Sequence, residues 1–181
     1  YVWPPPRPVP TGALRVLYVG TFSPWQGVNV AIEALGLLGA ASRVVLTLVG
    51  PCRGRQRAEI AEAAHRAGAS SRVVLAPPVS AIELPTLYAQ HDVAIAPLTA
   101  TERNVEQGCC PLKVIEAMAA GIPLIASDLP AVRELCGPDE ALLVKPSRPR
   151  ALAEALDAVV SDPAAATVRA ERARARVVRA G

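Results

Sequence analysis

A doubly wound α/β fold, with about six parallel strands and helices on both faces, is the class this sequence predicts. Three observations carry that expectation. Short apolar runs alternate with segments of helical periodicity. The runs are apolar nearly throughout, as strands covered on both faces must be, instead of alternating with polar residues. Finally, 51% of the 181 residues are hydrophobic and 19% charged, which supplies one packed core and excludes disorder as the main state.

The elements follow in order. Residues 1–12 carry Pro4, Pro5, Pro6, Pro8 and Pro10 and read as a stiff, extended linker. Strands are expected at 13–19, 44–49, 73–76, 93–96, 123–126 and 141–144. Val28, Ala31, Ile32 and Leu35 recur at i, i+3, i+4 and i+7, so a helix lies on a core there. Leu152, Ala155, Leu156, Val159 and Val160 repeat the spacing, and 54–67, 81–90 and 111–120 read as further helices. This Rossmann-like domain spans 13–162, and 163–181 form a basic, Ala-rich helical tail that reads as solvated, with an anionic membrane surface as the alternative. No internal repeat is present.

Composition narrows the function. Net charge is +3, from 19 basic and 16 acidic residues, too near neutral to imply a nucleic-acid partner. Aromatics, at 3%, are too few to stack bases in number. Cys52, Cys109, Cys110 and Cys136 fit neither a disulfide framework nor a C-x-x-C metal site, and read as reduced thiols of a cytoplasmic protein. No apolar run reaches the roughly 18–20 residues of a membrane span. The start lacks the charged and apolar regions of a signal peptide and does not begin with Met, as expected of a processed piece or excised domain.

In such sheets ligands sit beyond the carboxyl ends of the strands, where the strand order reverses. For the order 3-2-1-4-5-6 that place lies between the first and fourth strands. The loops there are unusual: Gly20-Thr-Phe-Ser-Pro-Trp-Gln-Gly27 after strand one, and a long polar loop, 97–110, after strand four. Residues 108–130 read GCCPLKVIEAMAAGIPLIASDLP, with Pro111 at a helix start and Gly121 at its end. Lys113 falls in the first turn, where the helix dipole disfavours a cation. An anion docked on the N–H groups of Cys110 to Lys113 resolves that conflict. The alternative is a solvated lysine. Glu116, one turn on, suits two hydroxyls of a ribose, or else an ion pair with Lys113.

These residues carry a specific resemblance. PLKVIEAMAAGIPLIASDLP is similar to the signature of the group 1 (family 4) retaining glycosyltransferases of GT-B fold, and YVGTFSPWQGVNVAIEAL resembles their first strand, glycine loop and helix. The likeness covers nearly all of 13–160 and only the family's C-terminal, donor-binding half. It implies a nucleotide-diphosphate-sugar donor, and a partner in an N-terminal acceptor-binding domain absent from this chain. It implies no cofactor and no metal. Lys113 and Glu116 would carry the chemistry. Glu116 matches the second glutamate of an E-x7-E motif that binds the ribose. The backbone of Cys110, Pro111 and Leu112 would meet diphosphate and sugar. Gly20, Thr21, Gln26 and Gly27 would cover the phosphates, and Ala76-Pro77-Pro78 would meet the base.

The departures are equally specific. The first glutamate of the motif falls on Gly108, beside Cys109, although Cys110-Pro-Leu-Lys113 is similar to an S-P-x-K variant of that loop. Thr21 and Gln26 stand where basic residues usually clamp the diphosphate, and two such lost contacts cost roughly 1.5–3 kcal/mol each. Lys113 and Arg103 are the candidates to compensate. The competing reading is a non-catalytic nucleotide-sugar module paired with a separate acceptor subunit. A dehydrogenase or epimerase is disfavoured because no G-x-G-x-x-G follows strand one.

Overall fold

Valine, leucine and isoleucine crowd the strand segments because a strand buried on both faces must place every side chain in a core. The computed structural model describes residues 2–11, 13–106 and 110–180. Its strands are β1 (Leu14–Val19), β2 (Val44–Val49), β3 (Val73–Ala76), β4 (Val93–Ala96), β5 (Leu124–Ser127) and β6 (Leu142–Val144). They form one parallel sheet in the order β3-β2-β1-β4-β5-β6, so the reversal falls between β1 and β4, as expected. All four residues of β4 and of β5 are buried.

The helices are α1 (Val28–Leu37), α2 (Arg55–Arg66), α3 (Leu84–Ala89), α4 (Glu102–Val105), α5 (Leu112–Ala120), α6 (Pro130–Arg133), α7 (Pro149–Ser161) and α8 (Pro163–Ala180). They divide the core in two. On one face Ile32 and Leu35 of α1 and Leu152 and Leu156 of α7 pack on Val16 and Leu46. On the other, Tyr88 of α3 and Val114 and Met118 of α5 pack on Leu17, Ala94 and Leu124. The short helices α4 and α6 fall in segments the periodicity leaves unassigned.

The two ends of the described chain lie differently from the expectation. Residues 2–11 are extended, but they are packed on the domain. Val9 is buried in the core, and Arg174 of α8 donates to the Pro4 carbonyl at 2.7 Å. The basic tail is not solvated on every side. Ala166, Ala170 and Ala173, at i, i+4 and i+7, form a buried stripe whose small side chains let α8 lie close against α5. Arg172 and Arg176 meet Asp139 and Glu140 at 3.4 and 3.3 Å. Among the described residues no helix is long and apolar enough to cross a membrane.

The end of the central strands opposite the ligand side carries an ion pair. Asp92, its side chain 3% exposed, accepts from the Arg15 guanidinium at 2.7 and 2.9 Å and from the Arg15 backbone at 2.8 Å. Burial raises the Asp92 carboxyl, but the Arg15 hydrogen bonds and the Arg15 and Arg7 charges outweigh it, leaving it below its ordinary value. Such a depressed carboxyl stabilises the fold above its unfolded value, near 3.9, and that contribution is lost as pH falls through the folded value. Asp92→Ala is therefore expected to cost about 1.5–3 kcal/mol at pH 7. Urea unfolding checks this, and the gap between variant and parent should close in acid.

Candidate functional site at the switch point

The loop after β1 is built to bring one side chain inward. The Tyr18 hydroxyl, buried beneath it, donates to the Thr21 carbonyl, and a single 3-10 turn over Pro24–Gln26 carries the chain back. Burial raises the Tyr18 phenol, so it remains a donor. Gly27 then starts α1 in the left-handed region at φ 75°, where a Cβ would stand 1.7 Å from the Pro97 carbonyl oxygen. Any side chain there pushes the β1 and β4 loops apart. Gly27→Ala is expected to destabilise the domain by about 1–2 kcal/mol from backbone handedness alone, before the clash is counted. Thermal unfolding measures this, and an unchanged midpoint would contradict it.

Opposite this loop stands the start of α5, where Leu112 N–H donates to Cys110 O at 2.9 Å and Val114 N–H to Pro111 O at 2.8 Å. Part of the amide cradle expected over Cys110–Lys113 is thus already engaged. Side chains in a first turn lean towards the helix N-terminus. Lys113 accordingly reaches back across the gap. Its Nζ donates to Gln26 Oε1 at 2.6 Å and lies 4.0 Å from the centroid of the Tyr18 ring. It also fills the space where a Cβ on Gly20 would stand, 2.9 Å from Nζ. The ion pair with Glu116, the alternative reading of the sequence, is not formed. Half-buried, Lys113 has its pKa lowered to about 7 by desolvation, against which the Glu116 charge pulls upward.

One turn further, Glu116 accepts from the Tyr88 hydroxyl at 3.0 Å through Oε2. Gly20, Thr21, Gln26, Cys110, Pro111, Leu112, Lys113 and Glu116 share one cleft of about 390 Å³. Gly27 does not line it and packs against the Pro97 backbone. Pro77 lies elsewhere, in a second cleft of about 250 Å³ that it shares with Gly50, Arg53 and Arg57. Gly108 and Cys109 lie outside the described residues.

Two side chains at the cleft, Asn104 and Trp25, carry no clear signal in the sequence. Asn104, 2% exposed, donates to the carbonyls of Trp25 and Thr99, each at 2.8 Å, and so ties the long loop to the glycine loop. Trp25 stacks under Arg103, whose guanidinium carbon is 5.0 Å from the ring centroid. That contact places Arg103, a candidate to compensate for the missing basic clamp, on the cleft wall. The histidines stay apart: His65 is exposed on α2, and His91 is buried with Nδ1 2.8 Å from the Leu87 carbonyl. No cluster of three His, Cys, Asp or Glu among the described residues is placed to hold a metal ion.

A parallel sheet in the order β3-β2-β1-β4-β5-β6, with its cleft at the point where that order reverses, defines a Rossmann-like α/β domain. The chain belongs to the glycosyl transferases group 1 family, whose model matches residues 13–162. Solved structures share the fold. A sucrose-phosphate synthase from Thermosynechococcus elongatus superposes with a TM-score of 0.80 at 29% identity, over 94% of this chain and 42% of that one. Anabaena HepE, in complex with UDP, gives 0.79 at 23%, over 93% of this chain and 44% of that one. The catalytic domain of cholesterol-α-glucosyltransferase from Helicobacter pylori gives 0.76 at 17%, over 93% and 99%. This chain therefore spans less than half of the first two proteins. No curated protein matches it by sequence.

Proposed function

We infer that this chain is the donor-binding half of a retaining glycosyltransferase that takes its sugar from a nucleotide-diphosphate-sugar. The observation that carries the reading is Lys113. The family resemblance expects a basic residue at position 26, and here Gln26 instead receives the Lys113 ammonium at 2.6 Å. The positive charge missing from the glycine loop is thus supplied to the same place from α5. The diphosphate lies between this ammonium and the start of α5, with Arg103 on the outer wall. Glu116 receives the ribose hydroxyls.

In the transfer step the bond from the anomeric carbon to the diphosphate oxygen breaks, and the acceptor oxygen bonds to that carbon on the same face. The acceptor's proton passes to an oxygen of the departing diphosphate. Lys113 and the helix start stabilise the negative charge that develops there, with no step that calls on a metal. The acceptor is held by a domain this chain does not contain, so the chain alone binds donor without turnover. Complexes of HepE with UDP and with UDP-glucose make uridine nucleotides the first to try. Titration calorimetry with UDP, GDP, ADP and their glucose derivatives is expected to show one preferred nucleotide. Binding of none, by this chain and by a chain that includes an acceptor domain, would refute the reading.

A further inference from the structure

We propose that Tyr88 is a positioning residue for the Glu116 carboxylate, and that Trp3 of the N-terminal segment holds Tyr88 in place. The inference rests on Glu116 as the ribose-binding group. Tyr88, 1% exposed, is one of the largest fully buried side chains, and it does not line the cleft. Its hydroxyl leaves the apolar core at a single point, to donate to Glu116 Oε2 at 3.0 Å. Burial, the Glu116 charge and that hydrogen bond all hold the phenol well above its ordinary pKa, so it acts only as a donor.

The arrangement divides the carboxylate's work. Oε2 is tied from the core side, and among the described residues no donor reaches Oε1. A glutamate side chain is free to rotate about three bonds, and one fixed oxygen removes most of that freedom before a ligand arrives. Behind Tyr88, the Trp3 ring meets the tyrosine ring edge-on, with centroids 5.6 Å apart and planes at 78°. Trp3 is itself fixed within the packed segment, where the neighbouring Pro4 carbonyl accepts from Arg174. A continuous line of contact therefore runs from the N-terminal segment through Tyr88 to the cleft.

The test compares UDP with 2′,3′-dideoxy-UDP, which lacks both ribose hydroxyls, by titration calorimetry on the parent chain, Tyr88→Phe and Trp3→Ala. Tyr88→Phe keeps the ring packed, and thermal melts confirm folding of each variant. Tyr88→Phe is expected to weaken UDP at least tenfold while leaving dideoxy-UDP within twofold. Trp3→Ala is expected to shift the preference the same way, by about threefold. Equal weakening of both nucleotides in Tyr88→Phe, or an unchanged preference, overturns the proposal. A Trp3→Ala variant with the full preference overturns the part assigned to Trp3. Should the parent bind both nucleotides alike, the ribose role of Glu116 falls first and the proposal with it.

Discussion

Lys113→Ala is expected to weaken binding of the preferred nucleoside diphosphate at least tenfold and to flatten its dependence on pH. In the parent chain burial holds the Lys113 ammonium at about 7, so around neutrality the side chain is part charged and part neutral. A diphosphate binds the charged form, and binding is then linked to uptake of a proton. As pH rises from 7 to 9 the parent's affinity should fall, approaching tenfold per pH unit once the free lysine is neutral. The second ionisation of a terminal phosphate lies near 6, so the ligand's own charge is constant over that range. Lys113→Arg, which stays protonated, should remove the decline without removing binding. Titrations in buffers of different ionisation enthalpy read the proton count directly.

The same group has an opposite signature in folding. Its folded pKa lies below its unfolded value, so between about 7 and 10.5 the unfolded chain binds the extra proton. The Lys113 contribution therefore makes the fold more stable as pH rises through that window. Below about 7 both states are protonated and the burial penalty is felt in full. A site that costs stability in its empty, charged form is what a ligand-binding cation should show.

Glu116→Ala is the second large effect. Loss of charge-assisted hydrogen bonds to ribose hydroxyls, roughly 1.5–3 kcal/mol each, should reduce affinity by at least tenfold, about 1.4 kcal/mol. The substitution also strips the buried Tyr88 hydroxyl of the acceptor it uses, which should lower stability by about 1–3 kcal/mol. Glu116→Gln separates the two. Its amide oxygen still accepts from Tyr88, so stability should be largely restored, while the lost charge keeps ribose binding weak. Calorimetry and thermal melts on the same three proteins check both arms. Normal affinity in Glu116→Ala would place the ribose elsewhere.

Much of this was legible before any coordinates. The strands are apolar throughout because they are buried twice over, and that pattern alone placed β2, β3 and β4 at their observed bounds. Lys113 stood out because a cation in a first helical turn breaks a local rule, and its cause is now visible in the reach to Gln26. Glu116 was legible through the family signature and its spacing from Lys113. Contacts that depend on distant chain segments were not. Tyr88 lies 28 residues before Glu116, and nothing in its own segment says where a buried hydroxyl points. Prolines announced the extended form of residues 2–11. They gave no sign that Val9 would pack near Thr167 of α8, 158 residues away. Pro77 is assigned to the base through the family resemblance, and it follows β3, two strands from the switch point, where it lines a second cleft.

The central claim is that one cleft between the glycine loop and α5 takes a nucleoside diphosphate, with Lys113 on the phosphates and Glu116 on the ribose. A crystal structure of the chain with UDP, or with whichever nucleotide binds best, tests it most directly. The account predicts a phosphate oxygen within hydrogen-bond distance of Lys113 Nζ and the ribose hydroxyls on Glu116, with Tyr88 still donating to that carboxylate. A nucleotide whose diphosphate lies away from Lys113, or whose ribose makes no contact with Glu116, would contradict it.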